Sequence, residues 1–189
     1  MKNLILFFLA LFTLQVSAQK YTIEGNNVVV YKVVEVVEGT EGDKDEIYNR
    51  VKSYFSRSYG DANSVIQTDN KTDGLIIGKG LYTNLTSFSL GAWTTKAYYI
   101  IRVDIKDGRA RIIASASTII PNSSSYPGST YEYNITQYYP ITDKRASGMP
   151  KKAQEESFNK LVDKLNMSVT SIEDTIKKGG ILNSEKPEW

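Results

Sequence analysis

The chain has 189 residues, with 23 lysines and arginines against 21 aspartates and glutamates and with neither cysteine nor histidine. A formal net charge of +2 leaves no electrostatic footprint for nucleic acid or an anionic membrane. Without cysteine there are no disulfides and no thiol to carry a lipid anchor, and without histidine the His-based triads, the commonest zinc ligands and the usual general base near neutral pH are excluded.

The N-terminus reads as a secretory signal peptide. Met1, Lys2 and Asn3 form a basic start, Leu4 to Leu14 is an almost unbroken apolar run, and Val16, Ser17 and Ala18 supply compact residues before a cleavage site after Ala18. The run of about eleven residues is short of the roughly 20 that a membrane helix needs, and no later segment is long and apolar enough to span. The expected product is an exported protein, periplasmic or secreted, with one domain over 19–178 and a tail over 179–189. Loss of Lys2 with the leader brings the net charge to about +1.

Asn26 to Glu38 is rich in β-branched residues and reads as a strand, with a bulge expected because Lys32 and Glu35 cannot share one face of a regular strand. Asp43 with Glu46 three residues on resembles a capping box. Ile47, Val51, Tyr54 and Phe55 then give a helix one apolar face, ended by Gly60. Ala62 to Thr68 and Gly74 to Thr83 read as two strands joined by a turn over 69–73, followed by a polar connection from Asn84 to Gly91.

The clearest local signal is "YYIIRVDIKDGRARIIASAS". Asp107-Gly108 is a two-residue hairpin turn. Pairing outward places Lys106 opposite Arg109, Ile105 opposite Ala110, Asp104 opposite Arg111, Val103 opposite Ile112 and Ile101 opposite Ala114. One face comes out apolar and the other carries an opposite-charge pair, an agreement that a one-residue slip destroys. Pro121 to Met149 is a long polar segment bearing five tyrosines, beyond the usual loop length. Pro150 suits a helix start, and Phe158, Leu161, Val162, Leu165, Val169, Ile172 and Ile176 keep a helical stripe, with a kink expected across Met167–Ser171 and a stop at Gly179-Gly180. The order is β-α-β-β-β-β-α. Two helices covering one face of an antiparallel sheet make an α+β fold that buries both stripes.

"DGLIIGKG", residues 73–80, superficially suggests a phosphate-binding loop. Its spacing is one residue short of a Walker A, Gly80 follows Lys79 where Ser or Thr belongs, and no helix pattern begins there. Alternation puts Ile76, Gly78 and Gly80 on one face and Leu75, Ile77 and Lys79 on the other, so the glycines read as room for a helix crossing the sheet. "DNKTDG" at 69–74 has Lys71 where a calcium loop needs a ligand, and reads as a hairpin turn. The acidic run Glu38, Glu41, Asp43, Asp45 and Glu46 suits the positive end of the first helix. Glu155 and Glu156, adjacent on a helix, do not face each other. No catalytic, metal or cofactor site is assigned.

Two surfaces remain as partner-binding candidates. Tyr126, Tyr131, Tyr133, Tyr138 and Tyr139 supply contact surface of the kind favoured at interfaces, unless they fold back to cap the sheet. The outer sheet face presents Tyr98, Ile100, Arg102 and Ile113, more apolar than a solvated face requires.

The stretch "KDEIYNRVKSYFSRSYGDANSVIQTDNKTDGLIIGKG" followed by "YYIIRVDIKDGRARI" resembles a domain-of-unknown-function family of secreted bacterial proteins with a TATA-binding-protein-like fold. The resemblance is carried by Glu46-Ile47-Tyr48, Val65-Ile66-Gln67, Ile77-Gly78-Lys79-Gly80 and Val103 through Asp107-Gly108-Arg109 to Arg111. It runs from about Val28 to Ile120 and more loosely through the last helix. It implies an exported protein of uncharacterised or non-enzymatic function and transfers no catalytic or binding residues. Fold does not fix function, so it does not imply DNA binding. The expected function is a non-catalytic binding module of the cell envelope engaging an envelope or extracellular protein or glycan, with no nucleic acid, no membrane span, no lipid anchor and no cofactor. The alternatives are an enzyme using carboxylate or tyrosine chemistry on an envelope glycan or peptide, and a structural or inhibitory protein docking on a partner.

Overall fold

The computed structural model describes residues 20–36, 42–59, 62–90, 92–123 and 131–178. The signal peptide, Glu38 and Glu41 of the acidic run, Gly60, Tyr126 and the tail from Gly179 lie outside the described residues.

A β-hairpin opens the described fold, β1 (Thr22–Glu24) with β2 (Asn27–Glu35). Helix α1 (Lys44–Ser58) follows, with the Asp43 side chain accepting from the Glu46 N–H at 2.7 Å as its N-cap. A single helical turn, α2 (Ala62–Val65), leads into β3 (Ile66–Asn70) and β4 (Leu75–Tyr82). After the short β5 (Ser87–Phe88) comes the long β6 (Trp93–Lys106), then β7 (Arg109–Ala116), β8 (Thr118–Ser123) and the short β9 (Tyr133–Asn134) with a 3₁₀ turn over Ile135–Gln137. Helix α3 (Lys151–Lys178) closes the described chain and runs unbroken through Met167–Ser171, against the expectation of a kink there. The main sheet is antiparallel, in the order β1-β2-β7-β6-β4-β3. Trp93 to Lys96 of β6 extends past it to pair with β5 and β8.

Helices α1 and α3 cover one face. Alternation delivers Val28, Val30 and Val34 of β2, Ile76 of β4, Ala97 through Ile105 at odd positions of β6, and Ala110 through Ala116 at even positions of β7 to that side, all buried. Ile47, Val51 and Phe55 of α1 and the whole Phe158–Ile176 stripe of α3 meet them. At Gly78 this packing is close. A Cβ there would collide with the Phe55 ring, so α1 seats this core side chain in a notch that only glycine leaves open. Gly80 serves another purpose, since the space above it is taken by the ring of Tyr99 on the neighbouring strand rather than by a helix.

Three local expectations are corrected. The Asn26–Glu38 stretch holds one regular strand, β2, hairpinned to the β1 that precedes it, with an unbroken ladder from Val28↔Ala116 to Glu35↔Arg109 and no bulge. Lys32 does fall on the helix-covered side, and its Nζ is satisfied there by Glu173 of α3 at 2.8 Å. Ala62–Val65 is helical rather than extended, in keeping with the poor strand propensity of alanine and asparagine. The Pro121–Met149 segment is less loop-like than its composition suggests, because β8 runs to Ser123 and pairs with β9.

Candidate functional site: the open face of the sheet

The side of the sheet away from the helices is built in cross-strand rows. Tyr31, Ile113, Arg102 and Ile77 stand side by side on β2, β7, β6 and β4. The next row is Val33, Arg111, Asp104 and Leu75, and on the other side lies Val29, Ser115, Ile100 and Lys79, followed by Tyr98 beside Leu81. Five of the apolar members are exposed, more than a solvated face needs: Tyr31 55%, Val33 45%, Leu81 41%, Tyr98 44% and Ile100 46%.

Asp104 organises the polar centre. Its carboxylate accepts from Arg102 Nε and Nη2 at 3.0 and 2.7 Å and from Arg111 Nε at 3.1 Å. Partial desolvation pushes the Asp104 carboxyl up, but the bonds from Arg102 and Arg111 together outweigh it and hold the group below its ordinary range. One carboxylate therefore fixes two guanidinium planes and leaves local positive charge, reinforced by Lys106 and Arg109 at the hairpin tip. Val33, Asp104, Lys106, Arg109 and Arg111 line a hollow of about 260 Å³. At the other end Lys79 Nζ lies 4.8 Å from the centre of the Tyr98 ring, and Lys79, Tyr98, Ile100, Ser115 and Glu132 border a second hollow. A general base poised near neutrality needs a raised carboxyl pKa, and Asp104 is pushed the other way. The arrangement suits contact with a flat or extended partner.

All four outer-face residues expected from sequence lie on this surface: Tyr98, Ile100 and Arg102 exposed and Ile113 half-buried. Sequence reasoning misses Tyr31, Val33, Leu75, Ile77 and Leu81 as members of it. The alternation of β4 puts Leu75 and Ile77 together, but only the β2–β7 and β4–β6 pairings join them to β6. The tyrosine segment behaves differently. Tyr133 is buried in the core, a correction to its place among contact residues, and it packs edge-on against Tyr138. Tyr131 is half-buried and donates to the Ser147 carbonyl at 2.6 Å. Tyr138 and Tyr139 are half-buried, with Lys144 and Lys151 over their rings. Tyr133, Ile135, Ala146 and Met149 of this segment are buried in the core, and the Ala146 N–H donates to the Gln154 side chain of α3.

With an antiparallel sheet, two helices on one side and a bare opposite face, the comparisons with known proteins are decisive for the fold. Residues 31–118 match the domain of unknown function DUF4468, described as having a TBP-like fold. Over this span the chain is similar to DUF4468 domains. A TBP-like protein from Parabacteroides distasonis ATCC 8503 superposes with a TM-score of 0.65 at 18% identity, over 84% of this chain and 97% of that one. A DUF4468 family protein from Bacteroides ovatus ATCC 8483 gives 0.62 at 18%, over 84% and 91%. At that identity the likeness shows the fold alone. No curated protein matches the chain. The comparisons indicate no catalytic family for DUF4468 domains, and among the described residues of this chain no helix is long and apolar enough to cross a membrane.

Proposed function

We propose that this protein is an exported, non-catalytic binding module that engages an envelope or extracellular protein or glycan through the open face of its sheet. The observation that carries the reading is the exposure of Tyr31, Leu81, Tyr98 and Ile100 on a rigid surface whose other side is the core. Aromatic and aliphatic anchors around a fixed pair of arginines are the composition favoured at the centre of interfaces. The inward turn of Tyr133 and the partial burial of Tyr131 favour this surface over the tyrosine segment. Export rests on the basic start and apolar run of residues 1–18, and N-terminal sequencing of the protein recovered from its native cells is expected to begin at Gln19.

The binding experiment compares three proteins on immobilised native envelope fractions. These are the wild type, a face variant carrying Tyr98→Ser, Ile100→Thr and Ile113→Thr, and a segment variant carrying Tyr138→Ala and Tyr139→Ala. The face variant is expected to lose retention while the segment variant keeps it. Equal retention of wild type and face variant rules the reading out.

A further inference from the structure

The two edges of the sheet are finished in different ways. Strand β3 forms one edge. It is five residues long, its ladder with β4 is interrupted between Ile66 and Thr68, and it carries Gln67, Asp69 and Asn70. Short length, an irregularity and polar residues are how natural sheets discourage a further strand from adding. The other edge lacks these devices over half its length. β1 covers β2 only as far as Val29. Before Thr22 the chain turns onto α3, where Tyr21 packs edge-on against Phe158 at 5.2 Å and the Lys20 carbonyl accepts from Asn166. On the side away from β7, Val30 to Glu35 is left without a neighbouring strand among the described residues, regular and rich in β-branched side chains.

Its backbone is set to receive one. The Val36 N–H bonds to the Gly108 carbonyl, so even-numbered residues of β2 face β7 and odd-numbered ones face outward. The N–H and C=O groups of Tyr31, Val33 and Glu35 thus point away from the sheet, and no described residue bonds to them. Lysine on an edge strand normally guards it. Here the one lysine, Lys32, lies on the helix side and is drawn to Glu173 at 2.8 Å, so the guard is engaged within its own chain.

We propose that the Tyr31–Glu35 edge pairs antiparallel with the same edge of a second copy, with Val33 opposite Val33 on the two-fold axis. In this register Tyr31 stands opposite Glu35 of the second copy and all three outward-facing residues of each strand exchange hydrogen bonds. Side chains keep their faces, since an antiparallel pair opposes residues on the same side. Lys32 then lies opposite Val34, not opposite another lysine. The outcome is one continuous sheet whose open faces join across the axis.

The chain has no cysteine, so single cysteines report the register without background. Opposed hydrogen-bonded residues lie about 5.5 Å apart at Cα, within disulfide reach. The protein, purified as the cell processes it, is expected to sediment at twice the monomer mass through the micromolar range. Val33→Cys is expected to cross-link to a covalent dimer under mild oxidation. Tyr31→Cys is expected not to cross-link alone, but to do so when mixed with Glu35→Cys. Val33→Pro removes an outward N–H that the β2–β7 ladder does not use, and is expected to return the protein to a monomer with unchanged circular dichroism. Should that variant not fold, Val33→Lys repeats the test with a charge on the axis. A wild type that sediments as a monomer, a dimer that survives Val33→Lys, or Tyr31→Cys cross-linking alone more readily than Val33→Cys overturns the proposal.

Discussion

One face of β6 carries Ala97, Tyr99, Ile101, Val103 and Ile105, and the other carries Tyr98, Ile100, Arg102, Asp104 and Lys106. The first set is buried against two helices, and most of the second stands in solvent. Both sets include aromatic and β-branched residues, so strand propensity does not explain the difference. What separates them is the second layer. On the helix side the core side chains pack against α1 and α3, down to the Gly78 notch under Phe55. On the open side the contacts between side chains are polar, the two arginines on Asp104 and Lys79 over the Tyr98 ring. Substitutions should therefore cost stability on one face and binding on the other.

The sharpest contrast comes from Phe55→Ala, which empties a fully buried position and is expected to cost about 3–5 kcal/mol in urea unfolding. Gly78→Ala drives a methyl into the same ring, at about 1–3 kcal/mol. Combining it with Phe55→Leu should recover part of that loss, because the two residues share one space. A gain is expected at Tyr133, whose hydroxyl is buried with no partner among the described residues. Tyr133→Phe should leave the protein up to about 1 kcal/mol more stable.

Acid titration tests the polar contacts of both faces. On the helix side Lys177 and then Lys32 hold the Glu173 carboxyl low, and Lys52 and then Tyr48 do the same for Asp69. On the open side Asp104 is also held low. A depressed carboxyl contributes stability that is fully present above its unfolded pKa and lost as pH falls through its folded one. Unfolding midpoints should therefore fall as the pH drops below about 5, with the larger share of the loss coming from the better enclosed pairs. Glu173→Gln should flatten that fall more than Asp104→Asn, since Glu173 is the more enclosed. Smallest of all, Ile100→Thr on the open face should shift stability by no more than about 0.5 kcal/mol, and a shift near that of Phe55→Ala would mean that the face is covered.

Much of the helix-covered side was legible in the sequence. Asp107-Gly108 fixed the β6–β7 register residue by residue, and the stripes of α1 and α3 named the helical half of the core. These are local patterns that do not depend on distant partners. The open site was legible only along β6 and β7. Tyr31 and Val33 join it through pairing with residues some eighty positions away, and nothing in "VVVYKVVE" says which neighbour β2 chooses. Lys32 looked like a break in alternation because its partner, Glu173, sits at the far end of the chain. Tyr133 gave no sign of burial, lying among polar residues without periodicity.

Hydroxyl-radical footprinting, done on the purified protein and again in its native compartment, addresses the open face whatever the partner is. Tyr98, Leu81 and Ile100 are expected to be oxidised readily in isolation and to be protected in place, while Tyr138 and Tyr139 change little. Equal oxidation of Tyr98 and Ile100 in both settings would contradict a working surface on this side of the sheet.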